Sequence, residues 1–343
     1  MKLVKILNKV VNIAAYLLIA TLLCALIDVF VFNRMMDLGN SRFRHNLVHK
    51  YIMAKHPYTG FIEQRLAAGE PYSMYYNGTE LYKNNENKIR IAFFGGSTSA
   101  YNDPEKPDSK NIPQYLEQKL KQKLNKDVVV LNYACGGAHH RQHLHMLLEF
   151  LPKFKPDIVV FYGGNNETVQ YYEADPRPGY PMNFFYEAEF QTWKKFLIQY
   201  SAVLSHILGN KFEARMHNVL NNRVKYKSPE WKQSIINNYL ETLHFSRIIS
   251  ESFKSDLFNE NTKFIAVFQP VRIMSGYDSD VMDIISGIRK RLPAYAYDFY
   301  NKYDNLPESI WYDICHVKDE ANQLMADEIS ELLINKYLKK YKK

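Results

Sequence analysis

Four short, largely apolar runs constrain what this 343-residue chain can fold into more than any other feature. They are Lys88–Phe94, Asp127–Asn132, Asp157–Tyr162 and Lys263–Gln269, and each ends at glycine or in a polar turn. Helix-length stretches separate them. Ile112–Leu124 is amphipathic, with Ile112, Leu116, Leu120 and Leu124 on one face, and 140–151, 230–253 and 319–337 also read as helices. Strands this apolar are covered on both faces, and the alternation with helices makes them parallel. The expected fold is therefore α/β: a three-layer α/β/α sandwich around a central parallel sheet. In such sheets a ligand crevice opens beyond the carboxyl ends of the strands.

Residues 10–32 form a second constraint. This run of 23 residues is interrupted only near its ends, by Asn12 and Asp28. As a helix it spans roughly 34 Å, enough to cross a bilayer. No small-x-small cleavage site follows it, and Thr21-Leu22-Leu23 before Cys24 makes a poor lipoprotein site. The reading is an uncleaved single-pass anchor over 1–33, a polar, Tyr-rich stalk over 34–87, and an α/β domain over 88–343. Lys2, Lys5 and Lys9 favour a cytoplasmic N-terminus and an extracytoplasmic body, against the opposing signal of Arg34, Arg42 and Arg44. Residues 172–228, with Pro176, Pro178 and Pro181, break the strand–helix rhythm. They read as a helical insertion that either shapes the crevice or extends the core.

Charge excludes one class of partner. The net charge is +8, but three lysines against Asp28 near the N-terminus give +2 and five lysines in the last eight residues give +5. The body is near neutral and presents no basic stripe for nucleic acid. The basic end suits the dipole of a final helix, or a weak contact with anionic lipid. Cys24, Cys135 and Cys315 are too few for a disulfide framework. Free thiols are expected, with a Cys135–Cys315 bridge as the alternative.

The chemistry is carried by four pieces, each at a strand end or a helix edge. Gly95-Gly96-Ser97-Thr98-Ser99 presents hydroxyls just past a strand. Cys135-Gly136-Gly137 precedes a helix, where backbone N–H groups can face an anion. Gly163-Gly164-Asn165-Asn166 offers amide donors at the next strand end. Asp313-Ile314-Cys315-His316 places a carboxylate and an imidazole three residues apart before the last helix. Singly, each is an ordinary turn or cap; the order and placement of all four carry the signal.

In this combination the chain resembles the SGNH hydrolases, the GDSL-like esterase superfamily, over about residues 88–336 apart from the insertion. The resemblance implies Ser97 as nucleophile, His316 as its base and Asp313 as the orienting carboxylate. It implies an oxyanion hole from the Ser97 and Gly137 N–H groups and the Asn165 side chain. Two positions depart from the family pattern: Gly96 and Asn166 stand where the family has Asp. Ser99 is the rival nucleophile, because a strand-end turn can aim either hydroxyl.

A serine hydroxyl needs a base to take its proton, and imidazole suits that task near neutral pH. No cofactor and no metal are required. The resemblance implies an anchored serine esterase acting on small O-acyl esters, acetyl above all, on an envelope glycan. An O-acyltransferase using the same acyl-serine is the main alternative, and would need a membrane partner supplying activated acyl groups. A lipase or lysophospholipase acting on lipid, and a non-catalytic binding module, are further alternatives.

Other residues admit plainer readings. His139 and His143 have a metal-compatible i, i+4 spacing, but His139, His140, His143 and His145 lack a nearby carboxylate or cysteine in a recognised pattern. Tyr171, Tyr172, Tyr180, Phe184, Phe185 and Tyr186 are core aromatics or the wall of an acyl or sugar cleft. Asn77-Gly78-Thr79 and Asn166-Glu167-Thr168 match glycosylation sequons, a pattern with many chance matches.

Overall fold

The computed structural model describes residues 2–28, 53–56, 60–63, 88–103, 105–106, 108–169, 228–272, 279–303 and 305–342. The expected stalk, apart from two four-residue strands (Met53–His56 and Gly60–Glu63), lies outside the described residues. So do the expected insertion apart from Ser228, the aromatic run from Tyr171 to Tyr186, and the sequon at Asn77.

The N-terminal helix and the α/β body belong to separate compact units. Helix α1 is Lys2–Ile27. Its segment Ile6–Ile27 has a mean hydropathy of 2.5 and is long and apolar enough to cross a membrane, and none of it is buried.

The body is built on five parallel strands: β1 Ile89–Gly95, β2 Val128–Asn132, β3 Ile158–Gly163, β4 Lys263–Phe268 and β5 Ala296–Asp298. Their order is β2-β1-β3-β4-β5. Phe93 pairs with Asn132 across β1/β2 and Gly95 with Tyr162 across β1/β3, so the three strands end at one edge of the sheet. The chain winds from β1 to β2, then returns across β1 to β3. That reversal puts the topological switch point between β1 and β3, where open α/β sheets bind ligands.

Side-chain alternation divides the core into two layers. Phe94, Leu131, Phe161 and Phe264 face α4 (His140–Phe154), α6 (Pro229–Glu251) and α7 (Ser279–Arg289). Phe93, Val130, Tyr162 and Ile265 face α3 (Ile112–Leu124) and α8 (Asp319–Leu333). The three-layer sandwich is therefore as the alternation required. Helix starts follow local chemistry. Asn111 and Gln114 form a reciprocal capping box at α3, and the Ser228 side chain accepts from the Trp231 N–H at α6.

Two features differ from the sequence reading. The fifth strand and the helix before it were not expected: β5 is a three-residue edge strand, only partly buried, with no apolar run to mark it. The last helix does not continue unbroken to Tyr337. It changes at Ile334 to a π-helical turn over Ile334–Leu338, keeping Ile334 and Leu338 in the core.

Candidate active site

The first residue past the β1 turn is Ser97, at the head of a single helical turn, α2 (Ser97–Ala100). Its hydroxyl meets an imidazole 219 residues away. Ser97 Oγ lies 2.8 Å from His316 Nε2, and His316 Nδ1 lies 2.7 Å from Asp313 Oδ2. An ionised carboxylate only accepts, so Nδ1 carries the proton and Nε2 presents its lone pair to the serine. The arrangement can therefore take a proton from Ser97 and stabilise the imidazolium that results.

Asp313 is held by its own loop. Its Oδ1 accepts the backbone N–H groups of Cys315 (2.9 Å) and His316 (2.7 Å), leaving Oδ2 for the ring. Partial burial pushes this carboxyl up. The bonds from the His316 ring and the two N–H groups outweigh that and hold it well below the usual carboxylate range. The loop closes as a narrow hairpin. Trp311 bridges Val317, and the Tyr312 N–H donates to the His316 carbonyl at 2.9 Å. The Arg272 N–H, past the end of β4, donates to the Ile314 carbonyl at 2.7 Å.

A second set of carboxylates joins this loop to the segment following Ser97. Buried Asp103 accepts the Tyr312 hydroxyl, and also the Asp319 N–H at 3.0 Å. Buried Asp319 in turn accepts Lys106 Nζ and the Tyr115 hydroxyl, both at 2.5 Å. Both ends of the imidazole loop are thus tied to the nucleophile side. Sequence reasoning did not single out Asp103 or Asp319, because nothing near either residue in the chain marks its partner.

The remaining candidates are distributed as follows. Ser99 is fully buried and its Oγ donates to the Gly96 carbonyl at 3.2 Å, whereas the hydroxyl at His316 is that of Ser97. Asn165 opens α5 (Asn165–Val169) at the end of β3 and is buried. Gly164 before it has φ +122°, and a Cβ there would lie 2.5 Å from the Phe268 ring. Only glycine suits that position. Gly137 has φ +73° in the turn beyond β2. All three cysteines are free, Cys135 and Cys315 being buried.

The histidine run packs inward: His139, His140 and His143 are buried. His143 Nε2 contacts the Gly95 carbonyl oxygen at 3.0 Å and its Nδ1 contacts His140 Nδ1 at 3.2 Å, so protein groups take both ring nitrogens. Asn166 donates its side-chain N–H to the Ala138 carbonyl at 2.6 Å and is followed by buried Glu167 and Thr168. That sequon serves internal packing. Glu167, given no role of its own in the sequence reading, accepts the His140 and Gly164 N–H groups.

A family model described as GDSL-like Lipase/Acylhydrolase matches residues 91–329, more than half of the chain. The chain belongs to the GDSL-like lipase/acylhydrolase family. As a member it is an ester-hydrolysing serine hydrolase. Solved structures similar to it include the lipase Lip_vut3 from a goat rumen metagenome, at 15% identity over 71% of this chain and 96% of that chain, TM-score 0.42. The lipase/acylhydrolase from Enterococcus faecalis is 15% identical over 73% of this chain and 96% of that chain, TM-score 0.40. Axe2, an acetylxylan esterase from Geobacillus stearothermophilus, is 12% identical over 72% of this chain and 92% of that chain, TM-score 0.39. No curated protein matches the chain. At these TM-scores the likenesses carry nothing about substrate, so the finer chemistry of this GDSL hydrolase rests on its own residues.

Proposed function

We propose that this protein is a membrane-anchored esterase that cleaves small O-acyl esters, acetyl above all, on an extracytoplasmic glycan through an acyl-serine intermediate. The hydrogen-bonded line from Ser97 Oγ through His316 to Asp313 is the observation that carries this reading. Ser97 Oγ attacks the ester carbonyl carbon as His316 Nε2 takes its proton. The oxyanion is met by the Ser97 and Gly137 N–H groups and the Asn165 side chain. Collapse returns the proton from His316 to the departing alkoxide and leaves acyl-Ser97. Water, deprotonated by His316, then releases the carboxylic acid and restores the serine.

His316 and Asp313 have side chains 38% and 50% exposed, which suits a site that admits a bulky alcohol and water. Helix α1 supports the anchor, since an apolar helix with no buried surface is stable where lipid covers it. Lys2, Lys5 and Lys9, before the apolar run, support an extracytoplasmic body.

A fluorophosphonate probe is expected to label the wild type and not Ser97→Ala; equal labelling of both removes Ser97 as the nucleophile. A chain-length series of nitrophenyl esters tests the acyl group. Preference for C2 supports the small-acyl reading, and preference for C8 or longer overturns it in favour of lipid. Acetate release with and without a glycan acceptor separates hydrolysis from transfer. Full-length protein that leaves the membrane fraction in alkaline carbonate would contradict the anchor.

A further inference from the structure

A buried polar cluster lies behind the nucleophile turn, outside the Ser97–His316–Asp313 line. His140, His143 and Glu167 are each no more than 1% exposed. Their hydrogen bonds settle where the protons sit. The Gly95 carbonyl only accepts, so His143 Nε2, 3.0 Å away, carries a proton. Burial keeps both imidazoles neutral, pushing His140 down to about 3 and His143 well below its ordinary value. The His143 Nδ1 is then an acceptor, and His140 Nδ1–H donates to it across 3.2 Å. The 3.7 Å approach of His140 Nδ1 to Glu167 Oε1 is accordingly not an ion pair.

The bonds of this cluster fall beside the three groups assigned to the oxyanion. The Gly95 carbonyl, two residues before Ser97, accepts from His143 and also from the Cys135 N–H at 2.9 Å. Glu167 Oε1 accepts the His140 N–H, and its Oε2 accepts the Gly164 N–H at 3.1 Å. Asn166 Nδ2 donates to the Ala138 carbonyl at 2.6 Å. Cys135 and Ala138 bracket Gly136-Gly137, and Gly164 and Asn166 flank Asn165. The three strand-end turns are therefore joined to each other through side chains, most of them deeply buried and without water to compete. In such surroundings hydrogen bonds are stiff, and an orphaned partner is costly.

We propose that His143, Glu167 and Asn166 are positioning residues that set the spacing of the Ser97, Gly137 and Asn165 oxyanion donors. The inference rests on the oxyanion assignment made under the proposed function. It gives the cluster a role in catalysis without contact with substrate. The negative oxygen exists only in the transition state and the tetrahedral intermediate. Loosening its donors therefore lowers kcat and leaves KM nearly unchanged.

The test uses full-length protein in detergent micelles with nitrophenyl acetate. His143→Gln places an amide nitrogen where Nε2 stood and keeps the bond to Gly95. His143→Asn reaches only as far as Nδ1 and serves His140 alone. The expected result for His143→Asn is a kcat lower by about 10- to 100-fold with KM within about twofold, the size of a sub-ångström to ångström misplacement. His143→Gln is expected to stay within about fivefold of the wild type. Equal kcat for the two variants, or KM rising as kcat falls, overturns the proposal. Asn166→Ala, at a half-buried position, decides the matter if the His143 variants do not fold. A kcat lower by about tenfold at unchanged KM supports positioning, and an unchanged kcat overturns it. Asn165→Ala separates the two layers of the reading. If its kcat is unchanged, the oxyanion assignment itself falls; if its kcat drops by about 10²- to 10³-fold while His143→Asn and Asn166→Ala are fully active, only the positioning role falls.

Discussion

Asn166 occupies the space that a side chain on Gly96 would need. A Cβ at position 96 would lie 2.7 Å from Asn166 Nδ2 and 3.4 Å from the Ala138 carbonyl oxygen, the acceptor that Asn166 uses. The two departures from the family pattern are therefore in contact. A carboxylate side chain at 96 and this rotamer of Asn166 cannot coexist, and a carboxylate at 166 has no N–H for Ala138.

From this contact, Gly96→Ala is expected to displace Asn166 and lower kcat by about tenfold. In an Asn166→Ala background the same change has room and should cost little more. A double-mutant cycle on kcat with nitrophenyl acetate measures the coupling, expected at about 1 kcal/mol or more. Strict additivity would show that the two positions are independent.

Replacing Asp313 by Asn keeps an oxygen for the Cys315 and His316 N–H groups but turns an NH2 toward His316 Nδ1. The ring then favours the tautomer with its proton on Nε2, facing Ser97 without a lone pair. The expected loss in kcat is about 10⁴-fold, with KM and thermal midpoint little changed. Steady-state kinetics and a melting curve on the purified variant check both parts.

Asp103 and Asp319 should make the body acid-sensitive. Burial pushes both carboxyls up, but hydrogen bonds from Tyr312 and the Asp319 N–H to Asp103, and from Lys106 and Tyr115 to Asp319, hold both below the ordinary range. A carboxyl with a lowered folded pKa adds stability above its unfolded value of about 3.8 and loses it as pH falls through the folded value. Asp319→Asn is expected to cost about 1–3 kcal/mol at pH 7 and to converge on the wild type in acid. Urea unfolding at pH 7 and pH 3 compares them; a cost that persists in acid rules out this linkage.

Glu167 works in the opposite sense. Burial raises its carboxyl to about 7, against the N–H bonds from His140 and Gly164 that favour the charged form. A group whose folded pKa is raised contributes most below its unfolded value, and that contribution falls as pH climbs toward the folded value. Wild-type stability should therefore decline between about pH 4.5 and pH 7 from this residue. Glu167→Gln should be less stable overall, because an amide can accept only one of the two N–H groups, and its melting temperature should lack that decline. Parallel slopes for the two proteins would remove Glu167 as the source.

The four longer strands were legible because continuous apolar runs bounded by turn residues have few other solutions. Strand β5 was not, because a three-residue edge strand with two partly buried residues and one exposed needs no such pattern. The site was legible in kind. A hydroxyl, an amide and an Asp-x-x-His pair stood at strand ends and a helix edge, and the family's motif order named their roles. The turn alone left Ser97 and Ser99 as rivals, and the family register favoured Ser97. The structure separates them by burying Ser99 against the Gly96 carbonyl. The histidine run was readable only as spacing. His143 became a neutral donor to Gly95 because α4 packs that face against the nucleophile turn, a contact 48 residues long in sequence.

By itself, then, the sequence determined the layers of the body, the apolar N-terminal helix and the residue types available for acyl chemistry. All of these follow from local periodicity and composition. Only the tertiary structure decided that Ser97 meets His316, that Asp103 and Asp319 clamp their two loops, and that Glu167 and Asn166 join the turns beyond β2 and β3. Those relationships are hydrogen bonds between groups tens to hundreds of residues apart. Their existence depends on strand order and on water being excluded between the turns, and neither quantity is written in any one stretch of chain.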